Sequence, residues 1–95
     1  MAKYVSLGRF RKEIDFGQAK ERIEKVKQAL AAVGGKLETL HYTMGAYDYV
    51  VMVDLPDNAA AAAFWAWYGR LGVAETTTMP CFSIEEMQAA AGRIK

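Results

Sequence analysis

The feature that most constrains the fold is a pair of strand-like runs separated by a glycine and an alanine. Residues 36–44 and 47–54 carry apolar side chains at the spacing of β-strands, and Gly45 and Ala46 lie between them. Because glycine readily adopts the positive φ that a two-residue turn of the primed type requires, this spacing predicts a β-hairpin. Gly45 and Tyr47 are therefore assigned as structural residues of the turn.

A two-residue turn also determines which residues pair across the hairpin. Thr43 then lies opposite Asp48, and His41 lies opposite Val50. Since directly opposite side chains point to the same face of a sheet, His41, Thr43 and Asp48 form a polar set on one face. Four further residues are expected to join this set: Tyr4, Ser6, Thr76 and Thr78. The other face is more apolar and is expected to lie beneath the helices; its residues are Leu40, Tyr42, Met44, Tyr49, Val51 and Val53.

The segments on either side of the hairpin alternate between strand and helix patterns. Residues 3–10 alternate in character with a period of two and predict a first strand. Apolar residues recur at helical spacing over residues 18–33, and Gly34 can take the left-handed conformation that ends such a helix. Residues 58–71 predict a second helix, and residues 73–82, with three consecutive threonines, predict a fourth strand.

The last residues predict a short additional helix. Ser83 and Glu86 have the spacing of a capping box, in which each residue pairs with the backbone amide of the other. The complete order is βαββαβ plus this terminal helix. It predicts an α+β fold of the ferredoxin-like kind, with a four-stranded antiparallel sheet and both long helices on one face. Residues 1–95 are expected to form a single domain, since a chain of this length builds only one core.

Composition excludes several classes of function. Twelve Lys and Arg balance eleven Asp and Glu, so the net charge of +1 gives no field that would attract nucleic acid. The longest uncharged run, residues 58–69, is too short to span a membrane. Cys81 is the single cysteine and cannot form a disulfide within the chain. With no export signal recognised at the start, we expect a cytoplasmic protein that does not bind membranes.

The third strand predicts that the protein is not a monomer. Residues 47–53 are apolar on both faces of the strand, which is typical of a strand that water reaches on neither side. The second helix also lacks a polar side, because Trp65 and Tyr68 lie outside the stripe that contains Phe64 and Trp67. We therefore expect a homodimer, or a higher oligomer, in which two sheets pack face to face and the helix aromatics contribute at a rim or a further interface.

The hairpin also resembles a known family. The segment YTMGAYD at residues 42–48, followed by a valine-rich strand and by DLPD at residues 54–57, is similar to the hairpin of the GYD-domain proteins. The similarity continues in KYV at residues 3–5, GGKLE at residues 34–38 and GRLG at residues 69–72. This resemblance implies a dimeric α/β barrel, formed by two ferredoxin-like sheets, in a bacterial cytoplasm. It implies no particular reaction.

Two hypotheses for function follow. The first is a binding or assembly module that holds a small, mostly apolar or aromatic molecule, or a protein partner. The tyrosines and tryptophans suit a planar ligand, although aromatic residues at this spacing are more often core or interface. The second is an enzyme without a cofactor, such as a monooxygenase or an isomerase. His41 would then act as general base, with Asp48 orienting it.

The alternative for this pair is structural. His41 then only satisfies a hydrogen bond at the sheet edge, while Asp48 caps hairpin amides or pairs with a lysine. Cys81 has no second histidine to activate it, so it is expected to behave as a small hydrophobic residue. No spacing typical of metal ligands occurs, and we expect neither a metal nor another cofactor.

Overall fold

The strands and helices predicted from the sequence are present in the computed structural model, which describes residues 2–94. A short 3₁₀ turn, Phe16–Gln18, precedes the first helix. In chain order the elements are β1 (Ala2–Phe10), α1 (Ala19–Ala32), β2 (Lys36–Tyr42), β3 (Tyr49–Leu55), α2 (Asn58–Arg70), β4 (Ala74–Cys81) and α3 (Ile84–Ala91). The strands pair antiparallel in the order β2-β3-β1-β4, which confirms the ferredoxin-like α+β fold.

Local signals at the helix ends act as predicted. Gly34 has a φ of 79°, and the amide of Gly35 donates to the carbonyl of Leu30 at 2.8 Å, so the chain leaves α1 through a left-handed residue. The Asp57 carboxylate accepts from the amide of Ala60 at 2.9 Å and caps α2. At α3 both hydrogen bonds of the capping box between Ser83 and Glu86 form.

The hairpin has the predicted register but a longer loop. His41 pairs with Val50, and the Thr43 amide donates to the Asp48 carbonyl at 2.8 Å. The prediction of a two-residue turn is wrong, because the strands end at Tyr42 and Tyr49 and residues 43–48 form the loop. Beyond Thr43 the backbone no longer pairs across the hairpin. The Thr43 hydroxyl instead donates a hydrogen bond to the Tyr47 carbonyl at 2.7 Å.

Two residues of the hairpin loop, Met44 and Gly45, lie beyond the paired part of the strands. Met44 was expected beneath the helices and is instead fully exposed, because it lies beyond the end of β2. Gly45 has a φ of 131°, so the loop requires glycine there as predicted.

The pairing of β1 corrects the predicted polar set. Ser6 pairs with Val51 on one side and with Thr78 on the other, and these three side chains therefore share a face. Val51 lies beneath the helices, so Ser6 and Thr78 do too. By the same register Tyr4 lies with Val53, and Thr76 lies opposite Gly8. Tyr4, Ser6, Thr76 and Thr78 are thus on the opposite face from His41.

The hydrophobic core fills the space between this face of the sheet and the helices α1 and α2. Its most buried members come from β1, β3, α1 and α2: Tyr4, Leu30, Val53, Leu55, Ala61 and Phe64. A bulge at Glu38, between Leu37 and Thr39, lets both Leu37 and Leu40 point toward the helices. No helix within residues 2–94 is long and apolar enough to cross a membrane.

The opposite side of the sheet, called the outer face here, is apolar at its centre and charged at one end. The central side chains come from β1 and β3 and are half-buried: Val5, Leu7, Val50 and Met52. This arrangement confirms that β3 is apolar on both sides. At the end of the face, the Lys3 ammonium lies 3.4 Å from both the Asp54 and the Glu38 carboxylates.

Candidate functional site

The structure places the residues predicted for proton transfer apart from any described cavity. His41 is exposed, and the Asp48 carboxylate accepts from the backbone amide of Phe10 at 2.8 Å. Among residues 2–94, neither His41 nor Asp48 lines the two cavities described. No hydrogen bond between the two side chains occurs in this part of the chain. Asp48 therefore acts as a backbone cap, although for the end of β1 and not for the hairpin itself.

The other residues of the hairpin motif also attach the loop to β1. The Arg9 Nε donates to the carbonyl of Ala46 at 2.7 Å, and its guanidinium lies 5.6 Å from the centre of the Tyr47 ring. The amide of Asp48 donates to the carbonyl of Gly8 at 2.7 Å. The contacts of Ala46, Tyr47 and Asp48 thus fix the hairpin loop against the neighbouring strand.

The hydroxyl groups predicted to bind a ligand mostly have partners within the chain. The Ser6 and Thr78 hydroxyls are 2.9 Å apart, and the Tyr4 hydroxyl donates to the side-chain oxygen of Asn58. Of the predicted ligand-binding residues, only Ser6 lines the larger cavity. The prediction that Tyr4, His41, Thr43, Asp48, Thr76 and Thr78 bind a ligand stays a prediction.

The larger cavity, called the aromatic cleft here, lies between the two long helices and the sheet. Its volume is about 330 Å³, at the lower end of the range typical for small-ligand pockets. The wall consists mainly of apolar and aromatic side chains. Contributors from the strands include Phe10, Leu37, Leu40, Tyr42, Tyr49, Val51 and Val53, and contributors from α2 include Phe64, Trp65, Trp67 and Tyr68.

The aromatic rings of the cleft support one another. Phe64 packs edge-to-face on Trp65 with ring centres 4.9 Å apart, and it stacks on Tyr68 at 6.2 Å. At an exposed edge of the cleft, Phe16 packs edge-to-face on Tyr42 at 5.0 Å. The α2 aromatics therefore pack largely within their own chain, beside the cleft, and their contribution at a rim or a further interface stays a prediction.

A pair of tyrosine hydroxyls forms one polar point in the wall. The hydroxyls of Tyr49 and Tyr68 are 3.1 Å apart. Burial and the bond to Tyr68 raise the pKa of Tyr49 far above its usual range, and burial also raises the pKa of Tyr68. Both phenols are therefore neutral at physiological pH. The Tyr49 ring can lie this close to the sheet because Gly8, beneath it, has no side chain.

The charged residues that line the cleft are both cations, Arg22 and Lys25 of α1. The Arg22 Nη1 donates to the carbonyl of Asp15 at 2.9 Å, whereas its Nη2 is buried and has no hydrogen-bond partner within residues 2–94. An unsatisfied buried donor is uncommon in folded proteins. The cleft thus combines a large apolar surface with a guanidinium that retains hydrogen-bonding capacity.

The position of Arg22 near the core could have been recognised from the sequence. Residue 22 follows Ala19 by three positions and precedes Val26 by four, so it falls on the apolar stripe of α1. A cation in such a stripe lies at or near the core. No comparable signal indicates the cleft itself, since its walls come from segments far apart in the chain.

Comparisons with known proteins give a family match for the sequence and a fold match for the structure. The family model described as "GYD domain" matches residues 4–91. Among solved structures, 30S ribosomal protein S6 from Thermotoga maritima aligns with a TM-score of 0.68 and 17% identity, covering 97% of this chain and 98% of that one. A hypothetical protein from Pyrococcus horikoshii aligns with a TM-score of 0.58 and 21% identity, covering 87% and 92%.

A third structure, LrpC from B. subtilis, aligns with a TM-score of 0.63 and 18% identity. The alignment covers 86% of this chain but only 51% of that protein. At these identities the structural matches establish the ferredoxin-like fold alone. No curated protein matches the sequence significantly.

Proposed function

The chain belongs to the GYD domain family, and from this starting point we propose that it is a homodimeric binding module for a small, mostly apolar molecule. The ligand lies in the aromatic cleft between the helices and the sheet, and the dimer forms through the outer face. The observation that carries the proposal is the cleft, with its volume of about 330 Å³ and its aromatic wall.

The composition of the cleft supports binding of an apolar body. Burial of apolar surface contributes about 25 cal/mol per Å² removed from water, so a ligand that displaces water from these side chains gains affinity from most of its surface. Aromatic walls also favour planar rings, because offset and edge-to-face contacts add to the effect of burial. Tyr42 lines the cleft and is 44% exposed, so the cleft is open to solvent at this edge.

The outer face supports the second part of the proposal. Val5, Leu7, Val50 and Met52 form a contiguous apolar centre that neither α1 nor α2 covers. A second copy of the chain is the occupant that fits, since the face carries both Lys3 and carboxylates at one end and Arg9 opposite Glu75 at the other. Such mixed charges suit a self-complementary, two-fold interface.

The C-terminal segment gives independent support for the dimer. Every residue of α3 is exposed, including Ile84 at 74% and Met87 at 53%. These two residues are three positions apart and lie on one side of the helix. The radius of gyration is 14.7 Å, larger than the roughly 12 Å of a compact chain of this length. An extended arm with an apolar side fits a helix that packs on a partner subunit.

No observation favours the alternative of an enzyme that uses His41 and Asp48. The Asp48 carboxylate is occupied by the Phe10 amide, and His41 is exposed. The binding hypothesis is therefore the one retained.

Two adjacent valines allow the two parts of the proposal to be tested separately. Val51 lines the cleft, whereas Val50 lies at the centre of the outer face. We expect Val51→Phe to fill the cleft and weaken binding of the uncharged dye N-phenyl-1-naphthylamine, measured by fluorescence, while the dimer remains. We expect Val50→Lys to place a charge in the interface, so that light scattering gives the single-chain mass of 10.5 kDa while dye binding remains.

Each variant thus serves as the control for the other. A wild-type protein that does not bind the dye contradicts the binding site, and a wild-type monomer at micromolar concentration contradicts the dimer. Loss of dye binding in Val50→Lys, with full binding in Val51→Phe, would assign the ligand to the outer face and overturn the assignment to the cleft.

A further inference from the structure

We infer that the ligand of the aromatic cleft carries a carboxylate on an aromatic body and that Arg22 binds this carboxylate. The inference rests on the proposed function, because it assumes that the cleft is the binding site. It goes further by assigning the charge of the ligand, its chemical class and the residue that recognises it.

The charge of the cleft indicates an anion. Its two charged lining residues, Arg22 and Lys25, are both positive, and no aspartate or glutamate lines it. The remaining wall is apolar apart from hydroxyls such as Ser6 and the paired Tyr49 and Tyr68. A neutral ligand would leave this positive charge without a counterpart, whereas an acid supplies one.

The hydrogen bonds of Arg22 indicate where the acid binds. Asp15 supplies only a backbone carbonyl to Nη1, and Nη2 has no acceptor within the described residues. Arg22 forms no salt bridge in this part of the chain. A buried donor without an acceptor is unfavourable. A hydrogen bond from this donor to the ligand therefore stabilises the complex more than a hydrogen bond from a solvated donor does. Because Nη2 is buried, rotation about the terminal torsions of the side chain would be needed to bring the free edge of the guanidinium to that acceptor.

A carboxylate fits this edge better than a phosphate does. A guanidinium presents parallel N–H groups that match the two oxygens of a carboxylate. A phosphate carries additional charge and oxygen atoms, which need further donors, and phosphate sites typically provide several backbone amides. The wall around Arg22 offers apolar side chains instead, among them Ile23 and Val26.

The same geometry indicates an aromatic body. The cleft extends from Arg22 on α1 to the rings of Trp67 and Tyr68 on α2. A ring system attached to the carboxylate lies among these rings and places both its apolar and its charged parts against complementary groups. The class of ligand is therefore an aromatic carboxylic acid.

The test compares two probes that differ only in the acidic group, 2-naphthoate and the neutral 2-naphthalenemethanol. Trp65 and Trp67 are the two tryptophans of the chain and both line the cleft, so their fluorescence reports binding, with calorimetry as a second readout. We expect wild type to bind 2-naphthoate roughly ten- to a hundredfold more tightly than the alcohol at low salt.

Arg22→Gln should abolish this preference while binding of 2-naphthalenemethanol stays within about twofold, which also shows that the cleft is intact. Arg22→Lys should retain part of the preference, because it keeps the charge but loses the paired donors. Arg70→Gln is the matched control, since Arg70 is exposed, does not line the cleft, and undergoes the same change of charge. It should leave the preference unchanged.

The outcomes separate the two proposals. Equal affinity of wild type for the two probes, or an equal loss of preference in Arg22→Gln and Arg70→Gln, overturns the role of Arg22 but leaves the apolar binding site in place. Absence of binding for both probes overturns the proposed function itself.

Discussion

Replacing Gly8 with alanine tests the packing that forms the floor of the aromatic cleft. An added Cβ at this position would lie 2.0 Å from Cζ of Tyr49 and 2.4 Å from its hydroxyl oxygen. Neither the strand nor the ring can accommodate such distances, so the Tyr49 ring must move. Moving it breaks the 3.1 Å hydrogen bond to the Tyr68 hydroxyl.

The cost follows from these two effects. Forcing an extra group into a packed core costs about 1–3 kcal/mol, and leaving a buried hydroxyl without a partner costs about 1–3 kcal/mol. Because the displaced Tyr49 hydroxyl regains some contact with water, we expect the free energy of unfolding to fall by about 2–4 kcal/mol. This corresponds to a decrease in Tm of roughly 10–25 °C for a domain of this size.

Two comparisons make the test specific to Tyr49. Gly69 lies in α2 with no atom within 4 Å of an added Cβ, so Gly69→Ala should stabilise the protein by about 0.5–1 kcal/mol through helix propensity. In a Tyr49→Val background the cost of Gly8→Ala should fall by more than half, since the clashing ring is gone. The measurement is urea unfolding at one fixed protein concentration, because the stability of the proposed dimer would depend on concentration. A Gly8→Ala variant within about 0.5 kcal/mol of wild type would refute the reasoning.

Two further predictions concern the hairpin loop and the charged end of the outer face. Gly45→Val should lower the Tm more than His41→Ala, because Gly45 has a φ of 131°, which costs a β-branched residue about 1–3 kcal/mol, whereas His41 is exposed; a Gly45→Val variant that melts at or above His41→Ala would contradict this. The neighbouring Glu38 carboxyl and Lys3 ammonium hold the pKa of Asp54 below its usual range in the folded protein. The contribution of the Asp54 carboxylate to stability is therefore complete above about pH 4 and is lost as the pH falls through this lowered pKa. Urea unfolding across pH should therefore show that wild type has a higher free energy of unfolding than Asp54→Asn near neutral pH and that this difference disappears in acid. A difference that persists unchanged to about pH 2 would exclude this role.

Local patterns in the sequence were sufficient for the order of elements and for the register of the hairpin. The signals that end or begin the helices each act within one turn of the chain, so the helix ends they produce do not depend on the rest of the fold. These signals are Gly34, the cap at Asp57 and the Ser83–Glu86 pair. The pairing of His41 with Val50 follows from the position of the loop centre between Gly45 and Ala46, which is the same for the predicted two-residue loop and the observed six-residue loop. The length of β2 and β3 was overestimated because the bonds that draw Asp48 toward β1 are between distant residues.

The face on which Ser6 lies could not be read from its own strand. Alternation in β1 separates two sets of residues but does not say which set meets the helices. The pairing of Ser6 with Val51 decides this, and it depends on contacts between residues far apart in the chain. The aromatic cleft was missed for the same reason, since Arg22, Tyr42 and Trp67 come together only in the folded protein.

The most direct test of the proposed site is an NMR titration of the methyl-labelled protein with N-phenyl-1-naphthylamine. Methyl groups of Leu40 and Val51 report on the aromatic cleft, and those of Leu7 and Val50 report on the outer face. We predict saturable shifts at Leu40 and Val51, together with the indole N–H signals of the two tryptophans, and little change at Leu7 and Val50. Shifts centred on Leu7 and Val50, or no saturable shift at any of these groups, would contradict a ligand site between the helices and the sheet.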